Sequence, residues 1–453
     1  MAAKSYYTLS LTALLTLGTV QAASAAQEYP AVLAGHVILP AETFVAAPND
    51  APKSLQHSGK FTTGKRVETL RSIEGLSDGR PTGISLPFDG QPLQGHSGIK
   101  RMTDGSYWML IDNGAGSKAN SPDFMLYLTQ YDVDFAKETF TPKKTVFLHD
   151  PDKKIPFHIV NEASEKRYLT GADLDPESFQ IMDNRIWIGE EFGPYLIQTD
   201  MDGKVLNFFE TQVDGKLIRS PDHFTQRLPG TPNDKISFEV KRSKGFEGMA
   251  AAPDGSKLYP LLEGALWNSA ANSYENDGGK EYLRILEFDT AKKAWTGNFW
   301  KYPLEANHHA IGDFNMIDAK RALVIERDNG EGVAEKACAA EAKDKTACFP
   351  NLPKFKRVYL VKFDQSNIGQ NVEKLGYIDL LNIQDPNKVA KKPLSQGVFK
   401  FPFFTIENVD LVDDKQIIVG NDNNLPFSSS RDPNKADDNE LILLNVEQLL
   451  QLK

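Results

Sequence analysis

Five times between residues 95 and 425 the chain repeats one pattern. An acidic or polar residue beside Gly or Asn opens an apolar strand. A tight polar turn follows, then a second apolar strand, then a cluster of acids and amides. The copies read "GHSGIKRMTDGSYWMLIDNG", "DPESFQIMDNRIWIGEEFG", "GFEGMAAAPDGSKLYPLLEG", "IGDFNMIDAKRALVIERDNG" and "TIENVDLVDDKQIIVGNDNN". Opening and closing groups keep similar separations: Glu177 to Glu190 spans 13 positions, Glu247 to Glu263 spans 16, Asp313 to Glu326 spans 13 and Glu407 to Asn421 spans 14. Asp104-Gly105 and Asp254-Gly255 are hairpin turns, and Asp183-Asn184 and Asp413-Asp414 stand in their place elsewhere.

After each of the first four copies come two more strand-like runs, such as "LYLTQYDV" and "KKTVFLHD". Helical periodicity is absent until "NVEQLLQL" at the C-terminus. A repeated unit of four antiparallel strands cannot bury its faces alone, and closing such units into a ring gives an all-β fold, the β-propeller. We expect six blades, with five or seven also compatible. N-terminal material from about Gly35 to Leu86 would contribute the sixth, and an N-terminal strand, "AVLAGHVIL" or "KRVETLRSIEGL", would complete the ring.

That geometry decides where the acids go. The inner strand of a blade begins where its antiparallel neighbour ends, so opening and closing groups converge at one mouth of the ring. The set gathered this way is Asp112, Glu177, Glu190, Glu191, Glu247, Glu263, Asp313, Glu326, Asp328, Glu407 and Asp422, with Glu74 as a further candidate and Asn421 among the amides interspersed with them. So many carboxylates cannot all stay charged and unpaired. Calcium fits them best, since it takes oxygen ligands from carboxylates, amide carbonyls and water, and no histidine- or thiolate-rich site competes. Basic residues interleave: Lys244, Arg284, Arg327 and Arg431. His96, His308 and His309 could move protons near neutrality.

Residues 1–25 read as a cleaved secretory signal peptide: Lys4, an apolar run from Leu9 to Val20, then "AASAA". That run is too short for a membrane span. The remaining residues, 26–453, are expected to form one domain with a loop insertion at 330–355, and no later segment is apolar enough to insert in a bilayer. In an exported chain, Cys338 and Cys348 are expected to form a local disulfide. The formal net charge of −10 argues against nucleic acid and anionic membrane surfaces as partners. No G-x-S-x-G elbow, phosphate loop, dinucleotide motif or H-E-x-x-H is present.

Taken together, "DPESFQIMDNRIWIGEEFGPYL", "GFEGMAAAPDGSKLYPLLEG", "YLRILEFD", "ALVIERDNG" and "IENVDLVDD" followed by "NDNN" resemble the phytase-like domain family ("esterase-like activity of phytase") across residues 95–445. The resemblance implies an exported bacterial β-propeller related to calcium-dependent propeller phytases. It points to Glu177, Glu190, Glu191, Glu247, Arg284, Glu326, Arg327, Glu407, Asn421, Asp422 and Asn423. The expected function is a periplasmic or secreted, monomeric, calcium-dependent hydrolase of phosphate monoesters or related esters. Glu190, Glu191 and His308 are its candidate catalytic groups, and Arg284, Arg327 and His96 its candidate contacts to a small anionic or ester substrate. Metal ligands would come from Asp112, Glu177, Glu190, Glu247, Glu263, Asp313, Glu326, Glu407, Asn421 and Asp422. A lactonase or arylesterase with one channel calcium, and a non-catalytic envelope binding propeller, stay open as alternatives.

Overall fold

The computed structural model describes residues 26–227, 231 and 236–453. The signal-peptide reading concerns residues outside that range. The described chain is almost wholly β, with one short α-helix at Glu447–Leu450.

Five four-stranded antiparallel blades form, each meandering outward from an inner strand. The inner strands are His96–Arg101, Pro176–Met182, Gly248–Ala251, Ala310–Met316 and Ile406–Leu411. Each touches the next, and the fifth returns to the first, which closes the ring. In blade 2, Asp183 and Asn184 both have positive φ, so their two-residue turn has the mirror-image geometry that suits the twist of a hairpin.

The count is five, one fewer than the six expected. Residues 40–92 supply no blade. They fold into three small ladders, Phe44–Val45 with Gln91–Pro92, His57–Ser58 with Phe88–Asp89, and Ile73–Ser77 with Arg80–Leu86. Leu86 and Phe88 pack these ladders on Phe124, Leu425 and Ala436 from the loops of blades 1 and 5. Glu74 is exposed there and stands outside the acid cluster. Of the two candidate closing strands, "AVLAGHVIL" does the work. Ala31–Leu39 pairs antiparallel with Asn439–Asn445 as the outer strand of blade 5. Gln27–Glu28 adds in parallel to the outer strand of blade 4.

Hydrophobic burial lies between blades, which explains why the second strands read as unbroken apolar runs. Ile186 and Ile188 of blade 2 face a cluster shared with Leu110, Leu126 and Leu128 of blade 1. Trp187, between them, faces the other way, onto Met249, Leu258 and Phe288 of blade 3. Alternate side chains of a strand point to opposite faces, and here a neighbouring blade covers each face. The expected disulfide joins Cys338 to Cys348 in the 330–355 loop.

The axis is sealed by a polar clasp. Asn315 Nδ2 donates to Val409 O (2.9 Å) and Asp313 Oδ2 (3.1 Å), while Gln180 Nε2 donates to Asn315 Oδ1 (2.7 Å) and Met249 O (2.6 Å). Asp313 Oδ2 also accepts from Ile99 N (3.3 Å) and Val409 N (3.1 Å). Groups from all five inner strands therefore meet at one level of the channel.

Candidate active site

Strand register sorts the sequence-derived acids into two kinds. In four blades the inner strand carries a register shift near its start: between Ile99 and His96, Pro176 and Ser178, Ile311 and Phe314, and Ile406 and Asn408. The first residue of each irregularity falls at Ser97, Glu177, Gly312 and Glu407, and Glu247 holds the matching place in blade 3, just ahead of its inner strand. A bulge re-aims a side chain at a sheet edge, and these residues turn toward the mouth. Blade 4 has no acid there. A Cβ on Gly312 would lie 2.2 Å from Ile406 O, so no side chain fits. Asp313, aligned by sequence with the opening acids, is one position later. A one-residue slip reverses a side chain's face, and Asp313 belongs to the axial clasp. Burial pushes its carboxyl up to about 7 despite three backbone N–H donors.

The closing groups divide the same way. Ile111, Glu190, Glu326 and Asn421 occupy one column, each paired with the residue just before its blade's bulge. They face away from the mouth. Glu190 accepts from the backbone N–H groups of Phe192 (2.9 Å), Gly193 (2.7 Å) and Tyr195 (2.8 Å), shaping the turn to the third strand. Burial raises its carboxyl to about 8. Glu326 accepts from Tyr302 Oη (2.8 Å), Glu305 N (2.7 Å), His309 Nδ1 (2.9 Å) and Lys374 Nζ (3.0 Å). Burial opposes ionisation of Glu326, but His309 and Lys374 outweigh it and hold the carboxyl below its ordinary value. Asn421 accepts from Glu440 N and donates to Asp438 O. These three, counted from sequence as ligands, are used by the scaffold.

The next column reaches the mouth: Asp112, Glu191, Glu263, Arg327 and Asp422. Asp112, Glu191 and Glu263 donate their backbone N–H to Gly95, Asp175 and Gly245 respectively, the same hydrogen bond in three blades. The "EE" doublet is thus split, with Glu190 serving a turn and Glu191 the mouth. Glu191 Oε1 accepts from Gly245 N (2.8 Å). Asp328, one residue past Arg327, takes the N–H groups of Lys354 and Phe355 and serves the loop.

The mouth acids form overlapping sets. Asp175, Glu177 and Glu191 each offer an oxygen within 4.8 Å of the others, as do Glu177, Glu247 and Glu407, and Glu191, Glu247 and Glu263. Burial, then mutual repulsion, drives Glu177, Glu191 and Glu247 well above the carboxylate range. Asp422 is raised by burial, Glu407 and Asp112, and Asp112 reaches about 8 through burial and Asp175. Glu407 is raised by burial despite Arg327, whose Nη2 lies 3.4 Å from its Oε1. Ser97 Oγ, at the bulge of blade 1, donates to Glu407 Oε2 (3.0 Å).

Two cations rim this centre. Lys244 pairs with Glu263 and is held charged by Glu263 and Glu191 against its burial. Arg327 donates to Asn329 Oδ1 (2.9 Å), and its buried Nε has no hydrogen-bond partner among the described residues. His308, exposed, lines a cavity of about 260 Å³ with Lys241, Lys244, Glu263 and Arg327. The other two residues assigned to substrate lie elsewhere. Arg284 is bound bidentately by Glu275 (2.9 and 2.6 Å) and stacks 4.0 Å from the Phe299 ring. His96 is wholly buried, donates from Nδ1 to Asn439 Oδ1 and accepts at Nε2 from Tyr131 Oη; burial lowers it to about 4, so it carries no charge. Asn423 bridges Gly95 N and Asp437 O.

Asp175 is the mouth residue that sequence reasoning missed. It stands two places before Glu177 in "LDPESF", and the Asp-x-Glu spacing could have flagged it.

A family model described as "Phytase-like: Esterase-like activity of phytase" matches residues 91–425. An uncharacterized secreted protein of Arthroderma benhamiae is 27% identical over 143 residues, which spans 26% of this chain and 24% of that protein. Among solved structures, a protein of unknown function from Dyadobacter fermentans has a TM-score of 0.36 at 12% identity, covering 92% of this chain and 99% of that one. The periplasmic gluconolactonase of Pseudomonas aeruginosa has a TM-score of 0.30 at 11% identity, covering 86% and 98%.

Proposed function

The chain belongs to the phytase-like family, and on that premise we propose that it is an exported, calcium-dependent hydrolase of anionic esters, phosphate monoesters first among them. The observation that carries this reading is the meeting of three overlapping carboxylate sets at one mouth, with Lys244 and Arg327 beside them. Every donor in those sets is a carboxylate oxygen, with no imidazole or thiolate, which suits a hard cation such as calcium. Asp175, Glu177, Glu191, Glu247, Glu263 and Glu407 would hold it. When bound, calcium would neutralise the substrate anion and polarise its phosphoryl or carbonyl oxygen.

The chain's own groups have separable tasks in this scheme. Arg327 and Lys244 bind and orient the anion. Glu191, which would be ionised only with the cation held beside it, accepts a proton from the attacking water as the water oxygen bonds to phosphorus, and the bond to the leaving oxygen breaks. His308 supplies the proton that the leaving alkoxide needs. Export is supported by the Cys338–Cys348 disulfide and by the secreted relative.

The test is metal removal and restoration. The mature chain is stripped with EGTA, assayed on p-nitrophenyl phosphate, phytate, p-nitrophenyl acetate and a lactone panel, and assayed again after calcium is added back. Turnover should vanish and return, and Glu191→Gln should suppress it in a folded protein. Turnover indifferent to EGTA would overturn the calcium scheme, and none on any substrate would overturn the hydrolase.

A further inference from the structure

Beside the carboxylate mouth lie two cavities that share a wall. One, of about 260 Å³, is the space lined by Lys241, Lys244, Arg327 and His308. The other, of about 400 Å³, is lined by Ser77, Asp78, Glu331, Asn351, Phe427 and Ser428 among others. Asn329 and Phe404 belong to both linings.

The two differ in charge. The smaller has three permanent cations, Lys241, Lys244 and Arg327, against two carboxylates, Glu263 and Glu281. Lys244 and Arg327 each already face a mouth carboxylate, but among the described residues Lys241 is paired to none: its ammonium lies 4.0 Å from the centroid of the Tyr274 ring. The unpartnered Nε of Arg327 leaves a buried donor that an incoming oxygen would satisfy. The larger cavity has no lysine, arginine or histidine in its lining, and it has two carboxylates. Glu331 is tied to Arg80 and to Ser430 Oγ (3.0 Å), and Asp78 has no ion-pair partner among the described residues.

The larger cavity also holds exposed rings. Phe404 is 38% and Phe427 36% exposed; the other large apolar side chains exposed among the described residues are Leu70, Leu76, Val160 and Leu394, all aliphatic. The backbone of Phe404 is fixed, since its N–H donates to Ser430 Oγ (3.1 Å) and its carbonyl accepts from Lys356 Nζ (3.2 Å). Its ring faces the Arg327 guanidinium, 5.5 Å from the ring centroid, and the remainder is left to water. Two such rings on one cavity, beside a cationic one, form a surface that is apolar and anion-repelling at one end and anion-attracting at the other.

We propose that the ligand of this site has two unlike ends: an anionic group seated among Lys241, Lys244 and Arg327, and an uncharged ring-sized group packed on Phe404 and Phe427. This deepens the hydrolase reading and rests on it only for where the scissile bond would lie, at the carboxylate mouth. An anionic aryl ester fits both ends. A polyanionic polyol does not, because its outlying charges would fall in a cavity with two carboxylates and no cation.

The test uses ligands that cannot turn over, so it does not depend on catalysis. Phenylphosphonate and methylphosphonate are titrated calorimetrically into the mature chain in calcium. Phenylphosphonate should bind about tenfold more tightly, the scale of one good aromatic contact. Phe427→Ala should shrink that preference and leave methylphosphonate unchanged, Phe404→Ala should shrink it and also weaken methylphosphonate a little because its ring lies against Arg327, and Lys241→Ala should weaken both ligands alike. Should Phe404→Ala not fold, Phe427→Ala carries the same comparison. Equal affinity for the two ligands, no binding of either, or a phenyl preference that survives both Phe variants would overturn the proposal. The phenyl preference can hold in a protein that hydrolyses nothing, and it can fail in a working calcium hydrolase, so the two readings fall separately.

Discussion

Replacing Glu177 by Gln should make the calcium-free protein more stable, although it alters a residue of the site. Glu177 is half-buried and belongs to two of the three carboxylate sets, with Asp175 and Glu191 and with Glu247 and Glu407. Oxygens in these sets lie within 4.8 Å of one another. At an effective dielectric near 20, two full charges at that distance repel by roughly 3 kcal/mol. Partial protonation relieves some of this, so the neutral amide should recover about 1–3 kcal/mol at pH 8. For a chain this long that raises Tm by roughly 1–3 °C.

The pH dependence has a definite sign. The folded-state pKa of Glu177 is well above 4.5, so the folded protein binds the extra proton. Wild type without calcium therefore loses stability as pH rises from the ordinary carboxylate range through the raised folded value. Gln does not titrate, so its advantage should be absent near pH 4 and should grow toward pH 8. Calcium should invert the order. Saturation at about a hundred times its Kd adds roughly 2.7 kcal/mol to wild type, whereas the variant keeps intact only the set of Glu191, Glu247 and Glu263. Differential scanning calorimetry in EGTA and in calcium, at pH 4, 6 and 8, reads all of this. A variant less stable than wild type in EGTA at pH 8, or one with an undiminished calcium shift, would refute the reasoning.

Three more outcomes follow from the column assignments. Glu190→Gln should cost about 2–4 kcal/mol with or without calcium, because it disturbs a carboxylate that serves three backbone N–H groups, whereas Glu191→Gln, which relieves the same repulsion as Glu177→Gln, should raise Tm in EGTA and lose calcium binding, both measurable by calorimetry. Asp313→Ala should lower stability by about 2–4 kcal/mol in guanidinium titrations, since the N–H groups of Ile99 and Val409 lose their acceptor. A chain starting at residue 40 lacks the outer strand of blade 5 and should fail to give a cooperative melting transition, while one starting at residue 30 should melt cooperatively.

Architecture was written in the chain at the level of the repeat. The alternation of strand, polar turn and strand is local, and five copies of it force neighbours to cover one another's apolar faces. The number of blades was less legible, because residues 40–92 contain plausible strands such as "KRVETLRSIEGL". A strand's propensity does not say what it pairs with. Ile73–Ser77 turns back on Arg80–Leu86 through Asp78 and Gly79, both at positive φ, so that hairpin is self-contained and has no free partner for a ring.

The candidate site shows a finer limit. Residue type and rough spacing gathered the right neighbourhood, yet could not say which member of each polar cluster faces the mouth. In a strand that choice turns on a single residue of register, and the bulges that reset the register have no fixed sequence mark. "EE", "ERD" and "NDN" each hold one residue for the mouth and at least one for the scaffold. Only pairing reveals that Glu191, Arg327 and Asp422 are equivalents, with Glu190, Glu326 and Asn421 behind them. The same column accounts for the asymmetry of the site. Blade 4 supplies Arg327 where the other four blades supply a carboxylate, and Gly312 where three blades supply a glutamate. One side of the acidic ring is therefore open and cationic, and that is the side on which the Lys241–Arg327 cavity lies. A ligand anion approaching the carboxylate centre meets least repulsion from this direction, so blade 4 sets the approach by what it lacks as much as by the cation it brings.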